Sequence, residues 1–291
     1  MILGAHLSIA GGLERALIEA GEYGFDAVAL FLRNQRQWAA PPLSDQTVEV
    51  FGRLRRELNI QAVVAHGSYL LNLAGEGEVH RRSMEAMIDD LDRCRRLGIE
   101  DLVIHPGSCP DEQAGLTRIA RAVRDLLKTS PGPVRVLLET TAGQGASLGW
   151  RFEHLAEMIH RCRRSARVGV CLDTAHVFAA GYDIRTAEAY EQTMSQFERI
   201  VGLERLHAVH VNDSTRELGS RVDRHAHVGR GRIGLAGFRC LVNDPRLARV
   251  PLILETPKGA DDRGRDWDAV NARRLRRLRR RPGRSTSAAR S

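Results

Sequence analysis

The sequence has little cysteine, almost no lysine and no long apolar run. Each shortage removes a class of protein. The five cysteines (Cys94, Cys109, Cys162, Cys171 and Cys240) are odd in number, widely spaced and form no CxxC pair. This excludes a disulfide framework and a thiolate zinc site, and it fits reduced thiols in the cytoplasm, where the chain is expected to reside. No stretch reaches the ~18 unbroken apolar residues of a membrane helix, so no membrane partner is expected. The segment MILGAHLSIAGG has neither the basic start nor the apolar run of a targeting peptide, and none is expected. Hydrophobic residues at 43% and charged residues at 27% are ordinary for a folded globular chain and exclude a disordered one.

Lysine occurs only twice among 44 basic residues, so arginine richness is a bias of the whole chain. The formal net charge of +8 is concentrated at one end. Residues 273–291 hold nine arginines and no acid, and the remaining chain has 35 basic residues to 36 acidic. A near-neutral body argues against holding nucleic acid by bulk charge, while leaving room for a local basic groove. Residues 1–272 read as one domain and 273–291 as an arginine-rich tail. A last helix is expected over 268–281, with Leu275 and Leu278 inward, and disorder after Pro282.

Short runs rich in Val, Ile and Leu recur along the chain. They are ILGAH (2–6), DAVALF (26–31), QAVVAH (61–66), DLVIH (101–105), VRVLLE (134–139), VGVCLD (168–173), HAVHVN (207–212) and PLILE (251–255). Helical spacing fills the intervals, as over 13–20, 47–58, 81–97, 116–127, 152–162 and 187–201. Near-continuous apolar strands suit a parallel sheet buried on both faces. Eight of them alternating with helices predict a (β/α)8 TIM barrel. A doubly wound sheet is the rival, but the first turn, HLSIAGG, is not the phosphate-binding GxGxxG.

The strand ends carry the chemistry. His6, His66, His105, Glu139, Asp173, His210 and Glu255 each fall at or near the C-terminal end of a predicted strand. In a barrel those ends converge on one mouth. A single such residue is ordinarily a helix cap or a hydrogen-bonded histidine, but this many together are not. A ring of imidazoles and carboxylates without cations would be desolvated and mutually repulsive. Divalent metals relieve that cost, and with no thiolate present they take His nitrogen and carboxylate oxygen. Asp173-Thr-Ala-His176 adds a second imidazole after the sixth strand. Arg221-Val-Asp223-Arg-His225 adds an i, i+2 pair after the seventh. Five histidines and four acids exceed what one catalytic zinc requires and suit three ions with sharing.

With these residues the chain resembles the endonuclease IV family of metal-dependent apurinic/apyrimidinic endonucleases. The matching stretches include GAHLSIAGG (4–12), FLRNQRQW (31–38), AHGSYLLNLA (65–74), HPGS (105–108), LLETTAGQG (137–145), GVCLDTAHVFAAGYDIRT (169–186), HVNDS (210–214), GSRVDRHAHVGRGRIG (219–234) and PLILETP (251–257). They span about residues 1–258. The resemblance implies a barrel with three zinc ions, Mn2+ being an alternative at one. His66, His105 and Glu139 would hold the first. Glu139, the catalytic bridge, would share the second with Asp173, His210 and Glu255. His176, Asp223 and His225 would hold the third. The implied partner is double-stranded DNA containing abasic sites, and the implied reaction is hydrolysis of the phosphodiester on the 5′ side of the lesion. One barrel with its own site implies a monomer.

The same resemblance assigns DNA contacts to Asn34, Gln35, Arg36 and Gln37 and to Tyr69, with Arg36 and Tyr69 entering the base stack. Read from the residues alone, the loop is a solvated connection with Trp38 packed on the rim. Ala175 stands where many relatives have Cys, at a position that is not a ligand. His6 is expected to hydrogen-bond a ligand rather than be one, and His227 and Cys109 to be bystanders. Glycines 143, 145 and 149 are expected to permit a tight loop, and His80, His154 and His160 to lie on the surface. Two rivals remain. A sugar isomerase or epimerase on the same barrel should lack the DTAH and RVDRH ligands. A non-catalytic DNA-binding barrel should have lost a ligand.

Overall fold

The computed structural model describes residues 1–163 and 165–280. Eight parallel strands close a barrel: β1 (Leu3–His6), β2 (Ala27–Phe31), β3 (Ala62–His66), β4 (Asp101–Ile104), β5 (Arg135–Glu139), β6 (Val168–Asp173), β7 (Leu206–His210) and β10 (Leu252–Leu254). Each pairs with its sequence neighbour, and β10 closes the ring between β7 and β1. A short antiparallel pair, β8 (Asp213–Ser214) and β9 (His225–Ala226), lies between β7 and β10 in the chain.

Helices α1 (Leu13–Glu22), α2 (Asp45–Glu57), α3 (Gly77–Leu97), α4 (Glu112–Thr129), α5 (Phe152–Arg161), α7 (Ala187–Ile200), α8 (Gly234–Asn243) and α9 (Trp267–Leu278) accompany the strands. Their apolar stripes and the outward faces of the strands form one core cluster, with Phe51, Met87, Phe152, Phe197 and Phe238 among its fully buried members. Side-chain caps start several of them, as where Asp111 accepts from the Ala114 N–H and Thr186 from the Ala189 N–H. A further helix, α6 (Thr174–Ala180), follows β6 directly. In α9 Leu275 is buried and Leu278 partly so, as the pattern predicts. The disorder expected after Pro282 lies outside the described residues.

A second apolar cluster fills the barrel itself: Ala27, Ala29, Val64, Val103, Leu137, Cys171, Ala208 and Ile253. Strand side chains alternate with a period of two. Two residues beyond Val64, Val103, Leu137, Cys171, Ala208 and Ile253 come His66, His105, Glu139, Asp173, His210 and Glu255. The polar residues are therefore the next interior layer, at the C-terminal mouth.

Candidate metal centre

Glu139, fully buried, stands at the middle of that layer. Its Oε2 lies 3.1 Å from His66 Nε2 and 3.1 Å from His105 Nε2. Its Oε1 lies 2.8 Å from His210 Nδ1, which is also 3.0 Å from Glu255 Oε2. Asp173 joins Glu139, His210 and Glu255 in one group of converging ligand atoms. On the other flank, His176 Nε2 is 3.1 Å from Asp223 Oδ2, and His225 Nε2 is 3.3 Å from Asp223 Oδ1. The two Nε2 atoms are 3.5 Å apart. All nine side chains singled out in the sequence thus meet at the mouth.

Several imidazoles are oriented by backbone carbonyls. His66 Nδ1 lies 2.7 Å from the Gly67 carbonyl, His176 Nδ1 2.8 Å from that of Thr140 and His225 Nδ1 3.2 Å from that of Glu255. A carbonyl only accepts, so each Nδ1 is assigned the proton. Each Nε2 then presents a lone pair, and each faces a carboxylate. Two lone pairs cannot share 3 Å without a proton or a cation between them. This donor set of imidazole nitrogen and carboxylate oxygen, with ring tautomers fixed from behind, fits divalent metal ions. The electrostatics agree. Burial opposes charge on His176, but Asp173, Asp223 and Glu139 outweigh it and raise its pKa to about 10. Burial likewise opposes ionisation of Asp223, yet His176, His225 and His105 bring it down to about 2. A field that would hold an extra proton on this nitrogen attracts a metal cation equally.

Asn212, which the sequence did not single out, holds the cluster in place together with Asp173 and His6, which it did. Asn212 Nδ2 donates to Asp173 Oδ2 at 2.6 Å, and its Oδ1 accepts the Glu255 N–H at 2.9 Å, so one amide aligns two carboxylate residues. Asp173 Oδ1 caps α6 through the His176 N–H at 2.9 Å. The helix cap therefore fixes the spacing within DTAH. His6 Nδ1 meets Glu255 Oε1 at 2.8 Å, the hydrogen-bonding position expected of it.

A cavity of about 320 Å³ opens above this layer, lined by Tyr69, His105, Thr141, Gln144, His176 and Asp223 among others. Tyr69 is 58% exposed, and its ring stands 5.7 Å from those of both His66 and His105. The loop of Asn34, Gln35, Arg36 and Gln37 is tied to the same rim, because Ser68 Oγ donates to the Gln35 carbonyl at 2.7 Å. Arg33 fixes its other end. That side chain is buried, donates to the Trp38 carbonyl at 2.6 Å and pairs with Asp90 at 2.6 Å and Asp89 at 2.8 Å on α3. Arg36 projects from this braced loop as an exposed side chain, while Trp38 is half-buried against the core.

The structure corrects one expectation. His154 is 2% exposed rather than on the surface. Its Nδ1 accepts the Gly149 N–H at 3.2 Å, and its Nε2 lies 2.9 Å from Arg151 Nε. It pins the loop of Gly143, Gly145 and Gly149, whose three φ angles are all positive. His227 stacks on Trp267 with ring centroids 3.6 Å apart, away from the ligand groups. The buried thiols are poor nucleophiles, burial pushing Cys162 up to about 11 and Cys171 to about 12.

Residues 17–280 match the family model described as a xylose isomerase-like TIM barrel. A probable endonuclease 4 from Chloroflexus aggregans is 48% identical over 262 residues, covering 89% of this chain and 92% of the relative. One from Geobacter sulfurreducens is 44% identical over 283 residues, covering 96% and 95%. The crystal structure of endonuclease IV from Thermus thermophilus superposes with a TM-score of 0.85 at 39% identity, covering 96% of this chain and 98% of that one. D-psicose 3-epimerase from Clostridium cellulolyticum, at 16% identity and a TM-score of 0.65, shares the fold alone. With the barrel, the mouth residues and these relatives in agreement, the chain belongs to the endonuclease IV family of hydrolases.

Proposed function

We propose that the protein is a zinc-dependent apurinic/apyrimidinic endonuclease acting in base excision repair in the cytoplasm. It hydrolyses the phosphodiester on the 5′ side of abasic sites in double-stranded DNA and leaves 3′-hydroxyl and 5′-deoxyribose phosphate ends. The observation that carries this reading is the convergence of nine nitrogen- and oxygen-bearing side chains from one chain, Glu139 among them. His66, His105 and Glu139 hold one ion, with Glu139, Asp173, His210 and Glu255 around a second. His176, Asp223 and His225 hold the third. One of the three positions also admits Mn2+. All ligands come from a single chain, so a monomer suffices.

Bound ions would supply a water nucleophile at neutral pH and neutralise the charge that builds on the phosphate oxygens. Glu139, whose Oε2 faces His66 and His105 and whose Oε1 faces His210, would serve two of the positions. The loop of Asp223 and His225 adds cationic capacity beside them, where a leaving oxygen needs stabilising. Asn34, Gln35, Arg36 and Gln37 meet the duplex, and Arg36 and Tyr69 occupy the gap left by the missing base. Turning a nucleotide out costs least where its base is already absent. Gel-based nicking of an abasic duplex, paired with metal analysis of the purified protein, tests the assignment. About three zinc ions and incision on the 5′ side are expected, and a metal-replete protein that leaves the abasic duplex intact would overturn it.

Two further outcomes follow from the recognition surface. Arg36→Ala should weaken binding to abasic duplex by about tenfold, on the scale of losing a stacked side chain, with metal content unchanged. Equal affinity of variant and wild type in a titration with labelled duplex would remove the loop from recognition. Deleting residues 282–291 removes two arginines. It should reduce the salt slope of non-specific binding by up to about 0.9 for each one that meets a phosphate. Turnover at saturating substrate should stay unchanged, and its loss would place the tail within the site.

A further inference from the structure

Asp213 is a buried carboxylate that forms no ion pair with an arginine, lysine or histidine among the described residues. Its charge is met by backbone alone. Oδ1 accepts the N–H groups of Ser214 and Ile233, each at 2.9 Å. Oδ2 accepts those of Gly229 at 2.9 Å, Gly231 at 3.0 Å and Gly234 at 3.3 Å. Four of these five donors lie in Gly229-Arg-Gly231-Arg-Ile-Gly234, which leads into α8. Such a glycine turn before a helix ordinarily cradles a phosphate. Here the anion is the chain's own side chain. The fit is close: a Cβ on Gly231 would lie 2.3 Å from the Ser214 carbonyl and 2.5 Å from Asp213 Oδ1.

The clasp closes the base of the segment that bears Asp223 and His225. Asp213 pairs in register with Ala226, and Ser214 with His225. Residues 215–228 therefore leave and return at one buried carboxylate. The tip has its own ties, the Gly219 N–H to Phe178, the Arg221 N–H to Ala179 and the Asp223 N–H to Gln144. At the base, the depth of His225 against His176 depends on β8, β9 and the glycine turn folded over Asp213.

We propose that Asp213 is a positioning residue for the ion held by His176, Asp223 and His225, an internal anion around which the glycine turn folds to set that ligand pair; this rests on the three-ion reading above. The amide in Asp213→Asn has the same shape, but it turns an N–H2 toward backbone donors and carries no charge. The test is a zinc titration against a competing chelator, with the number of bound ions and their dissociation constants as readouts. Wild type should hold three ions. Asp213→Asn should retain two unchanged and bind the third at least about tenfold more weakly, the range seen for groups that orient ligands. His225→Ala should lose the same ion, and the double variant no other. If Asp213→Asn does not fold, Gly231→Ala, which keeps the carboxylate and displaces the turn, should give the same selective loss. Three ions with unchanged constants in the variant would overturn the proposal, as would loss of all ions together, which marks a role in the fold at large. Fewer than three ions in wild type would instead overturn the three-ion reading, and this proposal with it.

Discussion

Glu139→Gln should reduce incision of abasic duplex by roughly three orders of magnitude or more, beyond the 10–100-fold typical of groups that only orient a ligand. The substitution keeps the shape and removes the charge. Glu139 is buried and is the carboxylate that faces His66, His105 and His210 together, each within about 3 Å. An amide nitrogen placed there would also point a donor at groups that gather cations. Burial pushes the Glu139 carboxyl toward neutrality, but His210 and His105 hold it well below the ordinary carboxylate range. It is therefore ionised throughout the working pH range. Single-turnover nicking with saturating enzyme checks the result, and near wild-type rates would remove Glu139 from the centre.

Stripping the metals should do two things at once. Incision should fall to background, and the thermal midpoint should fall by roughly 15–30 °C if all three sites empty. Each site saturated at 100 times its dissociation constant contributes about 2.7 kcal/mol of stability. In a domain of this size each kcal/mol moves the midpoint by roughly 2–4 °C. Without a cation, the Nε2 atoms of His66, His176 and His225 would be left facing carboxylates at 3.1–3.3 Å. Calorimetry before and after dialysis against a chelator, then with zinc restored, measures both. An unchanged midpoint would mean that the cluster holds no ion in the folded protein.

The barrel and its polar mouth were legible because both follow from a period of two. Apolar runs end in His, Glu or Asp at the positions where interior side chains emerge, and these ends needed no tertiary knowledge. The elements that escaped lack a period. In α6 the residues from Thr174 to Ala179 are all buried, so no polar face marks a helix. In α8, GLAGFRCLVN, glycines dilute the helical signal. His154 has helical spacing, but nothing local shows that the 143–149 loop folds over it. Arg33, Asn212 and Asp213 stand in stretches that match the family. Their partners on α3, β6 and the 229–234 turn become neighbours only once the barrel closes.

The apolar layer two residues beneath the candidate ligands also shapes the potential above it. Ala29, Val64, Val103, Leu137, Cys171, Ala208 and Ile253 bring no charged group to this layer, while the cavity on the other side is open to solvent. Field lines from charges at such a boundary are expelled from the dry side and concentrated toward the wet one. The barrel plug thus acts as an insulating backplate. A polyanion arriving at the mouth would therefore meet the field of a loaded centre focused through the cavity, on the one side where the apolar layer does not stand between them.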